Sequence, residues 1–387
     1  MKELLEYCRS DRQRELVKAI DKHGSVTKAA RVLGIDQANA FRSMRAIKKR
    51  ANLSGYTPSY GMSDPVPDGF QVKGTSKFTK DDFGNPIWVK TDRDRDAIAK
   101  AMEEAMDAFT SELPRAKPLP APEQYLNADI LNQYTITDYH LGMKAWAKEC
   151  GDDWDTDIAE KLLVDWFACA IERAPDAETA ILAQIGDFLH WDGVDAVTPA
   201  SGHLLDADTR FRRLIRIAIR VTRRVINMLL EKHRYVHVIM AEGNHDPASS
   251  MWLSELFHAF YEKEPRVSVD ESAIPYYCYV FGKQVLFYHH GHKRSVANVD
   301  SVLVGMFKKE YGQALFATAH MGHKHCIDIK ESNLMVVEQH PTLASKDAYA
   351  ARGGWLSNRN ASVITYHKQF GEVARFAISP DMVRELK

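Results

Sequence analysis

Tyr235-Val236-His237-Val238-Ile239-Met240-Ala241-Glu242-Gly243-Asn244-His245-Asp246 is an apolar run that stops in a Gly-Asn-His-Asp turn. A run ended in this way by glycine reads as a buried strand delivering polar side chains to the edge of a sheet, where α/β proteins keep their sites. Asn244 offers a neutral oxygen ligand, His245 a ligand or a proton donor, and Asp246 a carboxylate able to fix an imidazole tautomer. Taken alone, the tetrapeptide also fits an ordinary Asx turn.

Four other stretches repeat the pattern. Tyr134-Thr135-Ile136-Thr137 leads into Asp138-Tyr139-His140, and Ala180 to Ile185 leads into Gly186-Asp187. Val285-Leu286-Phe287-Tyr288 leads into His289-His290-Gly291-His292, and Ala314 to His320 leads into Gly322-His323-Lys324-His325. Each apolar run closes on metal-ligand residue types, so the five together point to one site built at strand ends. Carboxylate, amide and imidazole donors without cysteine suit Mn2+, Fe or Zn2+ rather than a thiolate-rich structural zinc site.

In residue pattern and order the five motifs resemble the calcineurin-like metallophosphoesterases, over about residues 130 to 345. The resemblance implies an α/β fold of two facing mixed sheets flanked by helices, and two divalent metal ions at the sheet edge, with Mn2+ expected first and Fe, Zn2+ or Ni2+ as alternatives. It implies Asp138, His140, Asp187 and His325 as ligands of one ion, and Asp187, Asn244, His290 and His323 as ligands of the other. In the fourth motif His289, His290 and His292 all remain candidates, His290 being preferred because His-Gly follows the strand in the family pattern. Two ions roughly 3.5–4 Å apart bridge a hydroxide and clamp the oxygens of a phosphorus centre during in-line attack. His245 then matches the residue that stabilises the transition state or protonates the leaving oxygen, with Asp246 orienting it. His190 stands where the DNA-repair exonuclease branch of the family also has a histidine.

The 387 residues, 45% of them apolar, suffice for more than one core, and two domains are expected. Five cysteines (8, 150, 169, 278 and 326) show no paired spacing, which fits a reducing compartment without a disulfide framework. The first residues do not read as a signal peptide, and no apolar run approaches membrane-spanning length, so a soluble, cytoplasmic protein with no membrane partner is expected.

A net charge of −1 hides an asymmetry: residues 1–52 hold thirteen Lys/Arg against six Asp/Glu, a balance of +7 on a body that must carry −8. A small basic module is a footprint of nucleic-acid binding. Its pattern predicts a helix over Asp11 to His23 ending at Gly24, a second over Val26 to Leu33 capped by Ser25, and a third from Asp36 to about Arg50. Ala29-Ala30-Arg31-Val32-Leu33-Gly34-Ile35 resembles the turn of helix-turn-helix DNA-binding domains, whose following helix enters the major groove. That resemblance implies DNA as partner, with Gln37, Asn39 and Arg42 facing bases and Arg45, Lys48 and Lys49 facing phosphates. A three-helix domain with a merely solvated basic face is the alternative.

Residues 53–123 read as a connector. Gly69 to Gly74 and Ile87 to Thr91 suggest a hairpin, Arg93 to Leu113 a helix, and Pro114 to Pro122 a stiff linker, after which the hydrolase occupies 124–387. Within it, Asp157 to Arg173 and Asp206 to His233 have helical patterns. Trp191 to Leu205 is expected as a loop over the metal site that reads substrate, while Val336 to Glu338 and Ala361 to Tyr366 are expected as late strands of the second sheet. Gly353-Gly354-Trp355 is a turn with no assigned purpose. The arrangement resembles phage or prophage hydrolases, and nuclease action on nucleic-acid phosphodiesters is the expected function. A phosphatase or small cyclic-nucleotide phosphodiesterase, and a DNA-binding regulator with a non-catalytic metal domain, are the alternatives.

Overall fold

Serine and aspartate caps divide the N-terminal residues into three helices. The structure is a computed structural model, and it describes residues 2–53, 75–80, 86–91, 118–124, 126–199 and 202–385. The chain separates into two units, Met1–Arg95 and Asp96–Lys387, each of which is described by itself.

In the first unit the Ser10 hydroxyl accepts from the Gln13 N–H to start α1 (Asp11–His23), and Gly24 ends it at φ +77°. Ser25 accepts from the Lys28 N–H to start α2 (Val26–Val32). The Asp36 carboxylate accepts from the Asn39 N–H at 3.0 Å, opening α3 (Gln37–Leu53). Leu16, Val17 and Ile20 of α1 meet Ala29 and Ala30 of α2 and Ala40, Met44 and Ile47 of α3 in one core. The small residues at 29, 30 and 40 let the helices approach closely. A 3-10 turn over Lys2–Tyr7, not expected from the sequence, adds Leu4 to that core, and Cys8 follows it there.

The hairpin is displaced in its first strand. It pairs β1 (Thr75–Lys80) with β2 (Pro86–Thr91) antiparallel, Phe78 opposite Trp88, rather than using Gly69 to Gly74. The β-branched Thr75 and Thr79 favour an extended chain at the strand that is described. Residues 69–74, the helix expected over 93–113 and residues 114–117 of the Pro-rich stretch lie outside the described residues.

The second unit is built on two mixed sheets, the α/β architecture expected. In the first, β3 (Asn127–Ile136), β4 (Ala177–Gln184), β5 (Tyr235–Met240) and β6 (Val267–Val269) run parallel. β12 (Ala361–His367) and β13 (Gly371–Ile378) extend it antiparallel beyond β3. The second sheet has the order β10 (Asp328–Glu331), β11 (Val336–Gln339), β9 (Phe316–Met321), β8 (Gln284–Tyr288), β7 (Tyr277–Phe281). Ala361 to Tyr366 thus joins the first sheet, contrary to expectation, while Val336 to Glu338 does join the second. The strand is buried on both faces, Val363 toward the helices and Ile364 and Tyr366 between the sheets, so it needs an interior place beside β3.

Period-2 alternation decides what each face meets. On β4, Ile181 and Ala183 pack between the sheets with Leu286 and Tyr288 of β8, whereas Ala180 and Leu182 pack under the helices. Those helices are α5 (Thr156–Arg173) and α6 (Phe211–Lys232), α4 being the short Ala147–Cys150; α6 starts five residues later than its expected Asp206. Polar pairs also cross between the sheets. Tyr288 donates to Gln133 Oε1 at 2.8 Å, the Tyr366 hydroxyl meets His320 Nε2 at 2.9 Å, and Arg375 of β13 donates to Glu338 of β11 at 2.7 Å. Such pairs add little net stability but disfavour other registers of one sheet on the other.

Candidate metal centre

The loops that leave β3, β4, β5, β8 and β9 meet in one place. Among the described residues, the non-glycine positions with left-handed backbone are Asp138 (φ 50°), His140 (46°), Asp187 (52°), His323 (79°) and His325 (55°). All five are ligand candidates. Strained conformations persist only where surroundings over-determine them, and they gather at functional sites.

Glycines make room for that backbone. A Cβ on Gly186 (φ +86°) would stand 2.5 Å from His290 Nδ1, and one on Gly322 would stand 2.5 Å from Asp138 Oδ2. A Cβ on Gly243 would stand 2.8 Å from Asp246 Oδ1 and closer still to Asp187. The glycines of these three motifs are therefore packed directly against ligand side chains of other motifs.

Two groups of donors converge. Asp138, His140 and His325 form one and Asp187, His290 and His323 the other, with donor atoms inside each group within 4.8 Å of one another. His325 Nε2 lies 3.2 Å from Asp138 Oδ1 and 3.2 Å from His140 Nε2. His290 Nε2 lies 3.1 Å from Asp187 Oδ2, 3.2 Å from Asn244 Oδ1 and 3.9 Å from Asp138 Oδ1, which ties the groups together. Of the three histidines left open in the fourth motif, His290 is the one brought into the cluster. His289 instead bonds the Pro275 carbonyl and the Arg294 N–H, and His292 stands 3.6 Å from Glu242.

Burial and charge fit this cluster to cations. Asp138 and Asp187 are 0% and 2% exposed, and two buried carboxylates this close need positive charge. Burial opposes ionisation of both, but the surrounding imidazoles hold their pKa values below the usual carboxylate range. Burial also opposes charge on His290, yet Asp187 and Asp138 push it up to about 10. His140 goes the other way: burial, then the neighbouring His245, His325 and His190, keep it neutral, with lone pairs available for ligation. Oxygen and imidazole donors converging on two centres match the two divalent ions expected from the sequence.

Supporting bonds set the donors. The His323 N–H donates to Asp138 Oδ2 at 2.8 Å, Thr137 Oγ1 donates to the same oxygen at 2.6 Å, and Thr342 Oγ1 donates to the Asp138 carbonyl at 2.6 Å. The His245 N–H donates to Asp187 Oδ1 at 2.8 Å. Asp246 does not orient the His245 ring, contrary to expectation. Fully buried, it accepts from the Leu189 N–H at 2.9 Å and from the Asp187 and Gly243 N–H groups at 3.2 Å each, joining two ligand loops through their backbones. His245 Nδ1 donates instead to the His190 carbonyl at 2.9 Å. His190 is 1% exposed, with Nδ1 3.3 Å from His140 Nδ1 and its ring stacked on that of His245 at 5.6 Å. It stands behind His140 and His245 rather than at the cavity wall.

A cavity of about 620 Å³ opens in front of the cluster. His140, Asp187, Asn244, His245, His323 and His325 line it, and so do Ser345, Asp347, Tyr349 and Trp355. No described residue of Trp191 to Leu205 lines it; the segment after β11 contributes lining residues instead. Sequence reasoning passed over that segment because its cue, an exposed Tyr and Trp around two glycines, carries no ligand-type residue.

Another donor group was also missed: His320, Glu338 and His340, all buried. Here three of the four ring nitrogens are already hydrogen-bonded. His320 Nδ1 meets His340 Nε2 at 2.8 Å and His320 Nε2 meets the Tyr366 hydroxyl, so the group is a polar link within the fold. Its signal was His340, which follows the Val336–Gln339 strand just as the ligands follow theirs.

The nucleic-acid candidates lie on α3. Gln37, Asn39, Arg42, Arg45 and Lys48 are exposed along it. Gln37 Nε2 donates to Thr27 Oγ1 at 3.1 Å and Arg42 to Asn39 Oδ1 at 2.5 Å. The side chain of Lys49 is outside the description. Among the described residues no helix is long and apolar enough to cross a membrane.

No family model matches the chain, and no curated protein matches its sequence. Among solved structures, it is similar to a conserved uncharacterised protein of Streptococcus pneumoniae described as a predicted phosphoesterase (10% identity, 64% of this chain and 98% of that one, TM-score 0.28). It is also similar to an archaeal phosphodiesterase (12%, 64% and 99%, TM-score 0.32) and to a dimetal phosphatase from Danio rerio (9%, 64% and 98%, TM-score 0.32). At scores this low the likenesses carry no argument, and the functional reading stands on the ligand cluster and its cavity.

Proposed function

We propose that this chain is a metal-dependent phosphoesterase that hydrolyses nucleic-acid phosphodiester bonds. The observation that carries the reading is the pair of donor groups, Asp138/His140/His325 and Asp187/His290/His323, joined through His290 and opening with Asn244 and His245 onto one cavity. Asp138, His140, Asp187 and His325 would hold one divalent ion, and Asp187, Asn244, His290 and His323 the other, Mn2+ being the first choice. Such ions supply Lewis-acid charge to a phosphoryl oxygen and lower the pKa of water. The protein's share is to position and to move a proton. With Nδ1–H committed to the His190 carbonyl, His245 keeps Nε2 for the cavity. As a water oxygen bonds to phosphorus the bond to the leaving oxygen breaks; that oxygen takes the Nε2 proton of a doubly protonated His245, and the neutral ring regains a proton as the water's surplus proton is released. The basic face of α3 would bind the phosphate backbone of DNA, and this supports a nucleic-acid substrate over a free phosphate monoester.

The test is hydrolysis of linear DNA, circular DNA, a cyclic dinucleotide and a chromogenic diester with Mn2+ and with chelator, by the parent and by Asp187→Ala. Turnover with Mn2+ that chelator and Asp187→Ala both abolish is expected. Parent-like turnover in either condition refutes the reading.

A further inference from the structure

The cavity that the ligands line is also lined by a segment whose exposed aromatics the chemistry does not use. Tyr349 and Trp355 are 72% and 58% exposed, yet both line the cavity that His140, Asn244 and His245 enter. Their rings meet edge to face, 5.2 Å between centroids at 70°. Tyr349 lies in α10 (Ala348–Arg352), α7 (Pro247–Tyr261), α8 (Val299–Met306) and α9 (Lys308–Gln313) preceding it in the chain. Trp355 follows the Gly353-Gly354 turn, at whose second residue φ is +70°. Its indole lies against the bare Cα of Gly353, where a Cβ would stand 3.2 Å from Trp355 Cε2.

This is a held surface. The Asp347 carboxylate caps α10 through the Ala350 N–H at 2.7 Å, and the Trp355 N–H donates to the Ala350 carbonyl at 3.2 Å. Arg352 bonds Glu149 at 3.0 Å, Ser345 donates to the Asp152 carbonyl at 3.1 Å, and Arg359 donates to Asp152 at 2.6 Å. Both ends of the segment are therefore fastened to the body. Two large rings kept in solvent beside a reaction centre, on a tethered support, present flat apolar area at small entropic cost.

We propose that Tyr349 and Trp355 form a stacking platform for the nucleobase next to the scissile phosphate, so the site takes an unstacked, single-stranded nucleotide rather than a paired one. The proposal rests on the phosphodiesterase reading above and names its substrate class. Three features favour a base over another planar group. The platform shares one cavity with the ligands, so a phosphate held there brings its own nucleoside to the rings. The cavity volume falls in the range of small-ligand sites. The Asp347 carboxylate, which lines the same cavity, can accept from exocyclic amines of bases.

The experiment compares kcat/KM of the full-length protein in Mn2+ on a dinucleoside monophosphate and on its doubly abasic analogue, in the parent, Trp355→Ala and Trp355→Phe. The readout is the ratio within each variant, so a general loss of activity cancels. The parent ratio is expected at roughly 5- to 150-fold, the worth of one base–aromatic stack. Trp355→Ala should bring it near unity, mainly through KM, and Trp355→Phe should keep most of it. A parent ratio near unity, a ratio Trp355→Ala leaves intact, or preference for a phosphotyrosyl peptide over the dinucleotide overturns the proposal. Should the parent cleave neither compound, the hydrolase reading falls, and the platform is judged on mononucleotide binding alone. There a roughly tenfold loss in Trp355→Ala supports it and an unchanged affinity overturns it.

Discussion

Replacing Gly186 by alanine should disable the metal centre through one methyl group. The new Cβ would stand 2.5 Å from His290 Nδ1, 2.6 Å from Cγ and 2.8 Å from Cβ of that ring, where ordinary contact begins at 3.4 Å, so the imidazole must retreat by about 0.9 Å. It has nowhere cheap to go, because it is 0% exposed and its Nδ1 bonds the Ile185 carbonyl at 2.8 Å. Alanine at φ +86° adds roughly 1–2 kcal/mol of left-handed strain, and overpacking adds about 1–3 kcal/mol. A displacement near 1 Å exceeds the roughly 0.5 Å tolerance of a working site and costs on the order of 10²-fold in rate. Gly151→Ala is the control: φ is +93° but nothing lies within 4 Å of the Cβ, so it should cost strain alone. Denaturant unfolding, bound metal after dialysis and diesterase rate are measured on both. Expected are a loss of about 2–5 kcal/mol in Gly186→Ala with metal and rate reduced together, and a loss of about 1–2 kcal/mol in Gly151→Ala with both retained. A Gly186→Ala protein with parent metal content and rate would refute the packing argument.

Other perturbations separate the remaining roles. His245→Ala should keep its bound metal while losing roughly 10²–10⁴-fold in rate, the worth of a positioned acid; loss of metal in that variant would make His245 a ligand instead. His233 is buried, with Nε2 2.9 Å from the Tyr134 hydroxyl, and burial lowers its pKa to about 4. The unfolded chain, near pKa 6.5, takes the proton more readily, so stability is full above pH 6.5 and falls by about 3 kcal/mol as pH drops toward 4. Urea unfolding of His233→Gln between pH 7 and 4.5 should show a shallower decline, and an unchanged slope would refute this. In the first unit, Lys48→Ala should weaken DNA binding for all sequences and reduce the log–log salt slope by about 1, whereas Arg42→Ala should relax sequence preference. Parent-like salt slopes in Lys48→Ala would leave the basic face as solvated surface.

The strand-end motifs were legible because each couples a strong periodic signal to a ligand-type residue. Three helices and their caps at Ser25 and Asp36 were legible because capping is local. What depended on contacts between distant segments was not. Asp246 was assigned to the adjacent His245, yet its carboxylate reaches Leu189 across 57 residues. The place of Ala361 to Tyr366 is set by burial on both faces, which an apolar run shows without saying which neighbour supplies it. Gly353-Gly354-Trp355 looked like a bare turn because the cavity it walls exists only once five loops meet.

The donor groups draw on both sheets: Asp138, His140, Asp187 and Asn244 follow strands of the six-stranded sheet, and His290, His323 and His325 follow strands of the five-stranded one. On the proposed function, a bound cation is then a rivet through the seam as well as a catalyst. Saturating one such site at 100 times its dissociation constant adds about 2.7 kcal/mol to the folded state. A change of that size alters how much of a protein survives proteolysis in a cell several-fold. Metal supply would therefore set how many copies of this chain persist, not only how fast each one turns over.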